Sequence, residues 1–335
     1  MKNIRVITII CAYLRTSLSN LWKTVVLCFI LTFLFHASFH SFTVLADERH
    51  TVIVIQSQPI AAYGEAIKGF EEACKRNNIS IDKIYDLKGD IDEGKRVIKN
   101  IKDNKLRPDL ILAVGVLATT LVKEQFTDTP IIFCMVINHE RFNLEGANMT
   151  GISSEASIGD QFGILKELLG TKRNVGVIYD PMKTGKIVSE ADLVVKRIEF
   201  NLIKAEVESE SEVSSALTGM VDKINALWIV PDSTVVTKGA LEMILKAALK
   251  HRLPVFCTSS AIVKAGALVS ISPDYRQTGL QAAHLAQTLL NSPTVISLGV
   301  KQPDKLKVTL NTQTAGIIRV DTSPLRSRPD VVFYP

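Results

Sequence analysis

The feature that most constrains this chain is a repeated switch of hydrophobic period. After residue 47, short apolar runs rich in β-branched residues alternate with stretches whose apolar positions recur every three to four residues. The runs are TVIVIQ (51–56), ISIDKIYD (79–86), LILAVG (110–115), IIFCMV (131–136), NVGVIYD (174–180), ALWIVP (226–231), PVFCTS (254–259) and ALVSIS (267–272). Runs this short and this uniformly apolar suit strands covered on both faces, which is the environment of a parallel sheet between helices.

The intervening stretches read as helices. Residues 61–76 put Ile67, Phe70 and Cys74 on one stripe, and 158–169 space Ile158, Phe162, Leu165 and Leu169 helically before Gly170 as a stop signal. Residues 184–199 align Ile187, Val188, Ala191, Val194, Val195 and Ile198, and 211–224 and 238–250 continue the pattern. The fold class expected is α/β with two Rossmann-like lobes. One set of alternations runs from about 50 to 137 and a second starts near 158. The polar, glycine-bearing segment 138–157 is expected to cross between them. A single large sheet is the competing architecture. The length of the bridging segment, and the division of eight strands into two groups, favour two.

The N-terminus bears on the compartment. Residues 1–23 carry Lys2, Arg5, Arg15 and Lys23 and no acidic residue, Thr24 to Phe35 is almost wholly apolar, and Val44-Leu45-Ala46 offers a small-residue cleavage site. The apolar run is well short of the roughly 20 residues that span a bilayer. Residues 1–46 therefore read as a signal peptide or, since the basic region is long and itself partly apolar, an N-terminal anchor. Cys28 follows Leu27 in mid-run, a poor context for lipid attachment. The expected location is exported, periplasmic or otherwise extracytoplasmic. The formal net charge is +5, and the leader holds four basic residues without an acidic one. The near-neutral remainder gives no electrostatic reason to expect nucleic acid.

Beyond the leader lie Cys74, Cys134 and Cys257. An odd number with these spacings makes neither a zinc site nor a redox pair, and the three read as small buried hydrophobes. There is no G-x-S-x-G elbow, HExxH helix, phosphate-binding P-loop or G-x-G-x-x-G turn. Nothing gives a positive reason to propose an enzyme, a metal or a cofactor.

In open parallel sheets, ligands collect beyond the carboxyl ends of the strands. The residues there are polar, mostly uncharged and rich in hydroxyls, which suits a small polar or zwitterionic ligand and suits a polyphosphate poorly. The candidate contacts are Ser57, Gln58, Tyr63, Gly115, Ala118, Thr119, Asn138, Tyr179, Asp232, Thr258 and Ser259. Asp232 could meet an ammonium in a charge-assisted hydrogen bond, or simply cap the helix that follows. Residues 116–120 should open a helix whose free amides attract a carboxylate, aided by the Ser57 and Thr119 hydroxyls. Ordinary strand–helix packing is the alternative there. Tyr63, Tyr179 and Tyr275 are either stacking walls for a planar ligand or core residues. His139 either titrates near neutrality against a ligand or is a solvated loop residue.

Several segments carry a resemblance in order and spacing: Asn148-Met149-Thr150-Gly151-Ile152, Val175 to Pro181, Pro231-Asp232-Ser233-Thr234-Val235, Pro254-Val255-Phe256, Lys264 to Leu268, and Asp274 to Gly279 with Ala282-Ala283. Through them the chain resembles the ABC-transporter substrate-binding proteins of the type I periplasmic-binding fold, in the group with tryptophan- and phenylalanine-binding members. The resemblance implies three crossings between lobes, an N-lobe of 50–152 plus 272–297 and a C-lobe of 153–271 plus 305–320, with 321–335 a tail of no assigned role. It implies that Asp232 contacts the ligand's amino group. It also implies a monomer that takes a small polar solute, an amino acid of the aromatic or another class, closes on its hinge and delivers to an ABC permease. Two cleft segments depart from the family pattern, Val136-Ile137-Asn138-His139 and Ser57 to Tyr63, which leaves ligand identity open. The rival readings are a sensing module acting in trans on a membrane receptor, an exported α/β enzyme, and a structural or adhesive role.

Overall fold

The computed structural model describes residues 50–171 and 173–335. The expected leader, 1–46, lies outside them. Among the described residues no helix is long and apolar enough to cross a membrane.

The strands are β1 (Thr51–Gln56), β2 (Ser80–Asp86), β3 (Leu110–Val114), β4 (Ile131–Cys134), β5 (Met149–Ile152), β6 (Asn174–Tyr179), β7 (Asn201–Glu206), β8 (Ala226–Ile229), β9 (Val255–Cys257), β10 (Val269–Pro273), β11 (Gly299–Lys301), β12 (Leu306–Asn311) and β13 (Val331–Tyr334). The helices are α1 (Ala61–Arg76), α2 (Ile91–Asp103), α3 (Val116–Gln125), α4 (Ile158–Leu169), α5 (Pro181–Arg197), α6 (Val213–Met220), α7 (Lys238–Lys250), α8 (Ser260–Lys264), α9 (Tyr275–Leu290) and α10 (Thr312–Ile318). They build two sheets, ordered β11-β5-β4-β3-β1-β2 and β13-β12-β10-β9-β8-β6-β7. The α/β class and the division into two sheets match the sequence reading.

Three details differ from it. The segment 138–157 does not cross between sheets as a whole. Met149–Ile152 is a buried strand of the first sheet, paired with β4 and β11, and only the residues after it cross. A four-residue strand containing Thr and Gly carries too little apolar signal to be seen in the sequence. The second sheet is not wholly parallel, because β12 runs antiparallel to β10. The chain re-enters this sheet at the end where β10 leaves it, so it must run backwards. Finally, the tail has a place: Val331–Tyr334 adds an edge strand parallel to β12.

The three connections between sheets lie side by side. The Ser153 amide donates to the Lys301 carbonyl at 2.9 Å, and the Asp274 amide to the Lys305 carbonyl at 2.9 Å. After the second crossing, α9 packs on α1 so closely that a methyl group at Gly279 would overlap the Ala66 carbonyl oxygen, and one at Gly69 the Arg276 carbonyl oxygen. Glycine serves both positions because two backbones meet there.

The second sheet is anchored by aromatic packing. Phe162 meets Phe200, Trp228 and Phe256 edge-on at 5.3–5.4 Å between centroids, a favourable quadrupole arrangement. Gln161 satisfies the buried indole, accepting from Trp228 Nε1 at 3.0 Å. Cys74, Cys134 and Cys257 are all buried and free, as small hydrophobes would be.

Candidate functional site

The carboxyl ends of β1, β3 and β4 and those of β6, β8 and β9 lie toward the three connections. On the first sheet, Ser57 ends β1 and its Oγ accepts the Ala118 amide at 2.9 Å, holding the start of α3. Gly115 precedes that helix at φ 89°, where a side chain would collide with the Tyr63 hydroxyl and lie 2.7 Å from Ser57 Oγ. Ser57, Tyr63, Gly115 and Ala118 are thus brought together. Burial pushes the Tyr63 hydroxyl above its ordinary pKa, so it stays a neutral donor. Gln58 is exposed beside Gly89. Thr119 is fully buried, and its hydroxyl is spent on the Gly115 carbonyl at 2.7 Å.

After β4 the chain turns through left-handed backbone at Met135 (φ 60°) and Asn138 (φ 49°), an uncommon conformation for methionine. Asn138 then reaches both lobes. Its amide donates to Glu155 Oε2 at 3.3 Å, and its Nδ2 to the Lys183 carbonyl at 3.4 Å. Burial raises the Glu155 pKa despite that amide.

On the second sheet, Asp232 is almost fully buried at the end of β8. Its Oδ2 accepts the Asp180 amide at 2.8 Å and the Thr184 hydroxyl at 2.5 Å, and its Oδ1 accepts the Thr234 amide at 2.8 Å. A carboxylate offers about four lone-pair positions, so one on Oδ1 remains for a further donor. The helix held is α5, through Asp180 and Thr184, rather than only the segment after Asp232. Asp180 itself caps α5, accepting the Met182 amide at 2.9 Å, with Pro181 in the first turn. The Thr234 hydroxyl, 2.8 Å from Asp180 Oδ2, holds the Asp180 carboxyl below its usual range. Lys183 Nζ donates to Thr234 Oγ1 at 2.5 Å and completes this cluster.

Thr258 and Ser259 lie half-buried after β9. Tyr179 is not brought to these groups. Its ring belongs to the second-sheet core, and its hydroxyl donates to Glu206 on β7 at 2.8 Å, where burial and then that carboxylate push it up to about 12. Tyr275 lies against the first-sheet core. The strand-end reading does not reach Lys183, Thr184 or Glu155. The Asp180-Pro181 pair does signal a helix starting at 181 rather than 184, and hence a first turn containing Lys183 and Thr184. Glu155 has no such signal, because its place depends on a strand that the sequence hides.

Chemically, the two surfaces offer hydroxyls, one amide-bearing loop, a hydrogen-bonded carboxylate and a cation. Among the described residues no group of His, Cys, Asp and Glu could hold a metal ion.

Residues 51–324 match the family described as ABC transporter substrate binding protein. The chain belongs to this family. It is a family of substrate-binding proteins, not of enzymes, and its members take a small-molecule ligand outside the cytoplasm and work with an ABC permease. A curated relative, the tyrosine-binding protein of Clostridioides difficile (strain R20291), is 25% identical over 256 residues, covering 74% of this chain and 72% of the relative. The fold matches the ligand-free, open structure of a substrate-binding protein with adhesive properties from Clostridium difficile, with a TM-score of 0.74, 20% identity, and coverage of 85% of this chain and 99% of that one. It also matches a Streptococcus pneumonia ABC domain in complex with L-Trp, with a TM-score of 0.63, 19% identity, and coverage of 85% and 100%. For this substrate-binding protein, then, the strand-end surfaces of the two sheets are the place to seek the ligand.

Proposed function

We propose that this protein is the exported solute-binding component of an ABC-type uptake system, capturing an amino acid with an aromatic side chain between its two lobes. The observation that carries the reading is the pairing of two polar strand-end surfaces across three adjacent connections, tied at Ser153–Lys301 and Asp274–Lys305. Adjacent short connections form a hinge, and hinge closure would bury a small ligand against both surfaces. The tyrosine and tryptophan named for two relatives support the aromatic class.

In this reading Ser57, Tyr63, Gly115 and Ala118 form the first-lobe wall with Gln58 at its rim. Asn138 is contributed by the loop that touches both lobes. The free Oδ1 position of Asp232 receives the ligand's ammonium, and Thr258 and Ser259 line the second lobe. Thr119 and Tyr179 shape these surfaces from inside their own lobes. The protein acts as a monomer, with the leader directing export or anchoring it, and the closed form docks on the permease.

A thermal-shift screen of amino acids on the purified protein tests this. A ligand at 100 times its Kd should stabilise by about 2.7 kcal/mol. It should be recovered chemically unchanged, as mass spectrometry can verify. If no amino acid raises the melting temperature and none co-purifies, the reading fails.

A further inference from the structure

A carboxylate withdrawn from water without a partner is costly, so proteins pair such groups or put them to use. On the strand-end surfaces most carboxylates are spoken for. Asp180 is engaged by the Thr234 hydroxyl, the Met182 amide and Lys183, and Glu140 pairs with Lys186. Asp232 already holds three donors. Glu155 is the exception. It lies half-buried in the first connection between the sheets, just after Ser153, whose amide pairs with the Lys301 carbonyl of the neighbouring connection. Its Oε2 accepts a single hydrogen bond, from the Asn138 amide at 3.3 Å. Its Oε1 accepts none within the protein, yet it is not among the unpartnered atoms shut off from solvent, so it stands open. Among the described residues no cation pairs with this carboxylate. Burial raises its pKa, the Asn138 amide offsets the rise only in part, and Glu140 adds to it.

The surroundings of Glu155 belong to both lobes. Asn138, which holds Oε2, also donates its Nδ2 to the Lys183 carbonyl in the first turn of α5. The next residue of that turn, Thr184, donates its hydroxyl to Asp232 Oδ2. Glu155 and Asp232 are thus linked through one loop residue and one helical turn. An ammonium carries three protons, and once buried each needs an acceptor. The one open position on Asp232 serves only one of them. When the lobes close, an ammonium between them meets in Glu155 a carboxylate that lacks a cation and has an oxygen to spare.

We propose that Glu155 is a second acceptor for the ligand's ammonium, sharing it with Asp232 and making the cleft selective for an amino acid over its deamino counterpart. This rests on the amino acid reading above. The charge-assisted bond forms only with the ligand present, so the residue costs the empty protein stability and repays it on binding.

The test is calorimetric titration of the purified protein with tyrosine and tryptophan, and with hydroxyphenylpropionate and indolepropionate, which lack only their amino groups. The wild type should prefer the amino acid it binds over the deamino counterpart by at least about 100-fold, since a site built for the ammonium leaves its own polar groups unpaired against the analogue. Glu155→Gln keeps an acceptor for the Asn138 amide and loses the charge. It should cut amino acid affinity by about tenfold or more, bind the deamino acid as before, and melt no lower than wild type at neutral pH without ligand. Should it fail to fold, Glu155→Ala and the wild-type ratio are read in the same way. Amino acid affinity unchanged in the variant would overturn the proposal and leave the ammonium to Asp232. An equal loss of both ligands would assign Glu155 to the fold and overturn it as well. Equal wild-type affinity for amino and deamino acids would overturn it while the binding function stands. Binding of none of the four would remove the amino acid reading and this proposal with it.

Discussion

Asp232 Oδ2 accepts both the Thr184 hydroxyl at 2.5 Å and the Asp180 amide at 2.8 Å, so this buried carboxylate ties the end of β8 to the first turn of α5. Removing it strands three buried donors, these two and the Thr234 amide. Asp232→Ala should therefore lower unfolding free energy by about 3 kcal/mol even without ligand. Asp232→Asn keeps one acceptor oxygen, which can serve either the Asp180 and Thr184 donors or the Thr234 amide but not both, and should cost less stability than alanine while weakening any amino-bearing ligand. Denaturant melts paired with titration separate the two roles. A ligand-free Asp232→Ala as stable as wild type would deny the structural role.

The ion pair between Lys186 on α5 and Glu140 on the loop after β4 joins the lobes at their surface. With its side chains 69% and 50% exposed, it is largely screened by solvent, so Lys186→Met should change ligand affinity by less than about fivefold. Scattering should show the ligand-free wild type widening from low to high salt, and Lys186→Met already at the high-salt width. An identical salt response in both proteins would refute a role for the pair in setting lobe separation.

Gly279 and Gly69 sit where α9 meets α1 backbone to backbone. Gly279→Ala must push the helices apart, at a cost of about 3 kcal/mol or more, whereas Gly163→Ala, with open space around it, should be neutral or mildly stabilising. Thermal melts of the two variants check this contrast.

Glu155 and His139 act oppositely with pH. The folded-state pKa of Glu155 is raised above its ordinary 4.5, so its contribution is fully present below that value and is lost as pH rises through the folded pKa. Glu155→Gln should thus stabilise the protein at neutral pH and do little below about 4.5. The folded-state pKa of His139 is lowered below 6.5, so its contribution is present above 6.5 and lost as pH falls through the folded value. His139→Gln should flatten that acid-side loss. Stability measured across pH for both variants tests both signs.

Burial pushes the thiols of Cys74, Cys134 and Cys257 up to about 12. Since the thiolate is the reactive form, none of the three should be alkylated in the native protein at mildly alkaline pH, and all should be once it is unfolded. Peptide mapping after labelling reads this directly.

The strands legible in the sequence are those whose apolar run exceeds what a helix face needs, such as Leu110–Val114 and Asn174–Tyr179. Met149–Ile152 and Val331–Tyr334 escaped because a short strand draws its stability from its neighbours rather than from its own composition. Among the candidate contacts, the places of Ser57, Gly115 and Asp232 at strand ends were legible from the apolar runs they follow. The side chains that engage them were not. Tyr179 shows the limit of reading strand ends from sequence: it closes β6, yet alternation along that strand turns its ring into the core.

By itself, then, the sequence determined the α/β class, the strand-end positions and the burial of the three cysteines, because these follow from local hydrophobic period and residue type. Only the tertiary structure decided that β12 runs backwards, that Asp232 grips Thr184, and that Asn138 touches both Glu155 and Lys183. Each of these joins residues distant in the chain, and such contacts are set by how whole elements pack, which no local pattern encodes.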